Sequence, residues 1–201
     1  MTQFESIIQR HGHVTFPDWT GERIYMKPFQ VGDDLGKYTR TVNMMLDQID
    51  TNDEMCFLMI DEAFVKAGTP HRRPGKHIEG WWDAGMSLHN GDGSGRWRLP
   101  GHVTEPVHRI PSRHSHKLDR EEGIILASNI TACVGYEGIF EGDLGKGGDC
   151  DHIDTSNMKT VNMEAHNVWA GNVSMLHEST PVAFDCFRTV VRINVPHWRP
   201  N

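Results

Sequence analysis

"CFRTVVRINVP", residues 186–196, decides the fold. Successive side chains of an extended strand point to opposite faces, which puts Thr189, Val191, Ile193 and Val195 on one face and Arg188, Val190, Arg192 and Asn194 on the other. This alternation has the period of a strand and not of a helix. The apolar face needs a core to pack on. The other face carries two guanidiniums, and an arginine held inside a small β-structure is expensive unless a carboxylate meets it. The planar fork of arginine is well matched to bidentate carboxylate binding, so a dicarboxylic ligand would suit this face.

Similar segments lie upstream. Cys56–Val65, Lys76–Trp82, Gly123–Val134, Tyr136–Phe140, Thr160–Met163 and Asn167–Leu176 read as strands, as does Phe187–Val195, each bounded by Gly, Pro, Asn or Asp. Short strands spaced in this way imply a sandwich or barrel. Helix is expected only near the N-terminus. Residues 2–10 place Phe4, Ile7 and Ile8 on one helical face, and residues 34–49 place Leu35, Tyr38, Val42, Met45 and Leu46 at helical spacing. The reading is one mainly β domain with N-terminal helices over residues 1–201, in which residues 1–53 are a partly helical support and residues 54–195 are the β body. Residues 85–122, rich in Gly, His, Arg and Pro without periodicity, are expected to form a lid or substrate loop.

Composition excludes several classes. Lys and Arg number 20 against 27 Asp and Glu, a net charge of −7, so no general positive field is available for nucleic acid or an anionic membrane. The apolar runs fall far short of the roughly 20 residues a spanning helix needs, and "MTQFESIIQRHGH" lacks the plan of a signal peptide. A soluble, cytoplasmic protein is expected. Cys56, Cys133, Cys150 and Cys186 stand far apart and read as reduced thiols, not as a disulfide framework or a structural zinc site. The excess that asks for chemistry is histidine, 13 in all.

"RRPGKHIEGWW", residues 72–82, supplies it. In an extended segment His77 and Glu79 share one side, with Ile78 on the other, and two ligands so spaced can grip one metal ion. The partner is expected to be His177 in "SMLHESTPV", residues 174–182. Two histidines and one carboxylate on one face of an octahedron leave three positions open, the arrangement of non-haem Fe(II) oxygenases. His77-x-Glu79, a distant His177 and an arginine ten to fifteen residues beyond it resemble the Fe(II)/2-oxoglutarate-dependent oxygenases. "GKGGDCDHI", residues 145–153, is similar to a Gly-Gly-acid turn that often precedes the last strands of that family. The resemblance covers roughly Cys56 to Val195 and implies a double-stranded β-helix, that is, a jelly-roll or cupin-like barrel. It implies Fe(II) on His77, Glu79 and His177, with 2-oxoglutarate as cosubstrate held by Arg188 or Arg192. Arg188 is the first choice, which leaves Arg192 for an anionic primary substrate. That substrate, a small molecule or a peptide, is not specified by the sequence, and neither is the oligomeric state. The chain departs from the family's commoner pattern in using Glu where Asp is usual.

Other residues read more simply. Trp81 and Trp82 are expected as core or pocket wall, and His71, Arg72 and Arg73 as a solvated basic turn. Arg113, His114 and His116 are expected on the surface or lid. His108, His152 and His166 carry no singling spacing, and Asp149 and Asp151 serve the glycine turn around Cys150. Two other classes remain open: a metal-dependent cupin that does not use 2-oxoglutarate, to which His114 or His116 would contribute, and a non-catalytic jelly-roll binding or structural module.

Overall fold

In the computed structural model the described residues are 3–49, 55–79, 122–145, 148–196 and 198–200. The expected lid, Trp81, Trp82, His108, Arg113, His114 and His116 lie outside them. The strands are β1 (Gln3–Ser6), β2 (Ile8–His13), β3 (Arg23–Phe29), β4 (Cys56–Val65), β5 (Glu122–Ser128), β6 (Cys133–Glu141), β7 (Lys159–Asn162), β8 (Asn167–Asn172), β9 (Leu176–Ser179) and β10 (Cys186–Pro196). One sheet of six strands runs β2-β8-β5-β10-β4-β3, and a second of four has β6 at its centre with β1, β7 and β9 as partners. All pairings are antiparallel. Among the described residues the two sheets do not close into a barrel.

The alternation in β10 produces this layering. Val191, Ile193 and Val195 point to one side of the large sheet, where they pack with Leu58, Ile60, Ile125 and Val168 against Tyr38, Val42 and Met45. The last two belong to the helix α1 (Thr39–Leu46). On the other side Val190 meets Met59, Leu126, Trp169 and Ile8, together with Cys133 of the small sheet. The guanidiniums of Arg188 and Arg192 therefore lie between the sheets, and the two residues are 2% and 5% exposed.

The chain alternates between the sheets as it proceeds. β1 lies in the small sheet and β2 in the large; β5 is followed by β6, β7 by β8, β8 by β9 and β9 by β10, each step changing sheet. β4 of the large sheet likewise feeds residues 70–78 to the small one, where Pro70 pairs with Pro181 and His77 with His177.

Four points differ from the sequence reading. Residues 2–10 are not helical: Phe4, Ser6 and Ile8 are buried in strand alternation, concealed in the sequence because Ser6 is polar. The Ser6 hydroxyl is satisfied by accepting from the Leu176 N–H at 2.9 Å. Second, β3 is a strand although it contains Pro28, which is tolerated because β3 is a sheet edge with a register shift between Ile24 and Lys27. Third, the segment around His77 is a pair of isolated bridges, to Asp149 and to His177, and not a strand. The helix expected over 34–49 is shorter, a 3₁₀ turn at Gly36–Tyr38 followed by α1. No helix of the described residues is long and apolar enough to cross a membrane.

Candidate metal centre

His77 sits between two partners. Its N–H donates to the His177 carbonyl at 2.9 Å and its carbonyl accepts from the His177 N–H at 3.0 Å. On its other flank Ile78 N–H donates to Gly148 O at 2.9 Å, and Cys150 N–H to Lys76 O at 2.8 Å. The glycine turn at 145–151 thus holds the ligand segment in place. Ile78 turns away from His77 and Glu79 into a core with Leu176, Phe140, Cys150 and Ile153, which fixes the face the two polar side chains occupy.

His77, Glu79 and His177 each offer a ligand atom, and these atoms all lie within 4.8 Å of one another. The histidine rings are 4.6 Å apart between centroids. His77 Nδ1 is 2.8 Å from Gly75 O and His177 Nδ1 is 3.0 Å from Met175 O. A carbonyl only accepts, so each ring carries a proton on Nδ1, which leaves Nε2 as the atom available to a metal ion. His77 Nε2 is 3.7 Å from Glu79 Oε1. Burial, then the nearness of His77, pulls His177 down to about 4, which keeps it neutral near pH 7. Burial alone would raise the Glu79 carboxyl, but Arg192 and then His77 outweigh it and hold it well below the usual carboxylate range. Two imidazoles and one carboxylate are donor types that a divalent metal takes. The donor set therefore fits a metal ion. Among the described residues it is the one such group of three.

The two arginines are treated differently by their surroundings. Arg192 forms an ion pair with Glu79 through Nη1 and Oε1. Among the described residues Arg188 has no carboxylate as a hydrogen-bond partner: Nε donates to Ser128 Oγ at 3.2 Å, Nη1 to Ser179 Oγ at 3.3 Å and Nη2 to Ala132 O at 3.1 Å. Burial pulls its guanidinium below the usual value. Ser179 lies two residues beyond His177 on the same face of β9, so alternation alone would have marked it. Cys133 lies opposite Ser179 in the register, and burial pushes its thiol up to about 12.

His71 and Arg72 are not the solvated turn expected of them. The His71 side chain is 4% exposed and lies 3.5 Å from Asp61 Oδ1, while Arg72 Nη1 donates to Asp61 Oδ2 at 2.7 Å. Nothing in the local sequence announces this, because Asp61 reaches it across the gap between the sheets. Arg73 stays on the surface, 3.6 Å from Asp149. His152 Nε2 meets Asp143 O at 3.0 Å, and His166 stacks on His13 at 5.6 Å between ring centroids.

Comparison with known proteins gives no relative: no family model, no curated protein and no solved structure matches the chain.

Proposed function

We propose that the protein is a non-haem Fe(II)- and 2-oxoglutarate-dependent oxygenase of the double-stranded β-helix type. The observation that carries this reading is the His77-Glu79-His177 group together with Ser179, one dipeptide step beyond His177, which meets a buried arginine, Arg188, that has no carboxylate partner among the described residues. A step of two residues along a strand is about 6.6 Å, comparable to the length of a five-carbon dicarboxylate. The chain's repeated alternation between two facing sheets supports the same architecture.

The chemistry iron would supply is oxidation of a substrate C–H bond by O2, coupled to decarboxylation of 2-oxoglutarate to succinate. His77, Glu79 and His177 would hold the metal. Arg188 binds the distal carboxylate of the keto acid, with Ser128 and Ser179 fixing the plane of its fork. Ile124, Leu126, Met59 and Val190 keep the space between the sheets apolar and exclude water.

The test is succinate formation by the full chain supplied with Fe(II), 2-oxoglutarate, O2 and ascorbate. Slow turnover that disappears without any one of the first three supports the reading. Tight metal binding without keto-acid consumption would favour a cupin-type enzyme, and the absence of metal binding a non-catalytic module.

A further inference from the structure

Arg192 is held by the metal site itself. Its Nη1 pairs with Glu79 Oε1, the same oxygen that lies 3.7 Å from His77 Nε2. Its other contacts are poor: Nη2 is 3.3 Å from the sulfur of Met26, and Nε is buried with no hydrogen-bond partner. A thioether is a weak acceptor, so among the described residues Glu79 supplies nearly all the compensation this buried cation receives. A metal–carboxylate bond is about 2.0–2.2 Å. An ion seated against His77 and His177 therefore competes with the guanidinium for that carboxylate.

We propose that Arg192, which pairs with the metal-ligand candidate Glu79, is the binding group for a singly charged carboxylate on the primary substrate, and that a metal ion drawing on Glu79 makes its fork available. This rests on the metal reading above. Charge decides the class of ligand. A dication with one carboxylate ligand leaves one positive charge, and Arg188 and Arg192 add two more. Asp61, the acid of β4 on this face, is already engaged by Arg72 and Arg23 and faces His71. Dianionic 2-oxoglutarate cancels two of the three charges and takes Arg188 for its far end. Among the described residues one guanidinium is then left without a compensating charge, and a buried charge in that state demands a partner. A monoanion restores the balance. A planar carboxylate also matches the fork that pairs with Glu79.

The experiment uses the full chain, with propionate as probe. Mn(II) affinity is measured first, by electron paramagnetic resonance titration without added anion, in wild type and Arg192→Met. Propionate affinity of the Mn(II)- and 2-oxoglutarate-loaded proteins follows, by calorimetry. The variant is expected to bind Mn(II) about tenfold more tightly, having lost the competitor for Glu79, and to bind propionate at least about tenfold more weakly. Arg192→Gln, which keeps donors without charge, should give the same two shifts and serves if the Met variant does not fold. Propionate ligating the metal directly would persist in both variants, so equal propionate affinity in variants and wild type overturns the proposal. Weaker Mn(II) binding in correctly folded variants overturns it as well, and reduces Arg192 to a support for Glu79. Inorganic phosphate bound in preference to propionate, and lost with Arg192, overturns the carboxylate class. If wild type binds no Mn(II), Fe(II) or Co(II), the metal reading falls and this proposal with it. If it binds metal but Arg192 has no effect, this proposal alone falls.

Discussion

His77 and His177 exchange both backbone hydrogen bonds although they are a hundred residues apart in sequence, and their side chains leave that pair toward the same space between two sheets. The ligand geometry is thus a property of the backbone pairing and not of flexible side chains reaching inward. Replacing either imidazole should leave the pairing intact. His77→Ala and His177→Ala are each expected to lose metal affinity by two orders of magnitude or more, with little change in far-ultraviolet circular dichroism. Full metal affinity in either variant would remove that residue from the site.

Glu79→Asp tests reach. The shorter side chain keeps the charge but reaches less far toward His77 Nε2, so metal affinity should fall about 10- to 100-fold, less than in Glu79→Ala. Equal losses in the two variants would mean that position and not charge limits binding. Titration with Mn(II) or Co(II) measures both.

Arg188→Met should raise the apparent KM for 2-oxoglutarate at least about tenfold, since charge-assisted hydrogen bonds are worth about 1.5–3 kcal/mol. Arg192→Met should spare it. Uncoupled succinate formation measured against 2-oxoglutarate concentration checks both, and an unchanged KM in Arg188→Met with a large rise in Arg192→Met would exchange the roles.

How much of this was legible beforehand follows from what each residue shows locally. The strand at Cys56–Val65 was read to the residue because its apolar run and flanks are local signals. β10 was nearly so. The long runs read at 123–134 and 167–176 each divide into two strands in different sheets, since crossing from one sheet to the other leaves the apolar pattern nearly continuous. The N-terminal strands were missed because a buried serine and an edge proline broke the patterns that identify them. His77, Glu79 and His177 could be chosen from spacing, and Ile78 fixed the face. The Arg192–Glu79 pair and the Asp61–His71–Arg72 cluster could not, because each joins side chains brought together only by sheet register and by the strap that follows β4.

Stability should have an acid limb set by Glu62. This buried carboxylate accepts from Thr20 N–H at 2.8 Å, Glu22 N–H at 2.7 Å and Lys37 Nζ at 2.7 Å, and from the Tyr38 hydroxyl. Burial would raise its carboxyl, but these donors prevail and bring it to about 2. The folded value is below the unfolded one, so the unfolded state binds the proton more readily between them. The stabilisation, on the order of 3 kcal/mol, is present above about pH 4.5 and lost as pH falls toward 2. Glu62→Gln should destabilise the protein near pH 7 and flatten that limb in urea melts. An unchanged slope between pH 4.5 and 2.5 would exclude Glu62 as its source.

Gly171→Ala tests the packing under β8. An added Cβ would lie 2.3 Å from Met175 Sδ and 2.7 Å from Met175 Cβ, the latter not movable without the backbone of the turn into β9. A loss of about 1–3 kcal/mol in unfolding free energy is expected, as for other overpacked cores. Because Met175 is adjacent to the strand that carries His177, metal affinity should fall with it.

The most direct measurement is anaerobic titration of the full chain with Fe(II) and 2-oxoglutarate, followed by visible absorption. The expected result is a weak charge-transfer band that saturates at one equivalent of iron, requires both components, needs far more 2-oxoglutarate in Arg188→Met and is absent in His177→Ala. Absence of the band in wild type with iron bound, or a band that survives unchanged in His177→Ala, would contradict the assignment of this site to iron and 2-oxoglutarate.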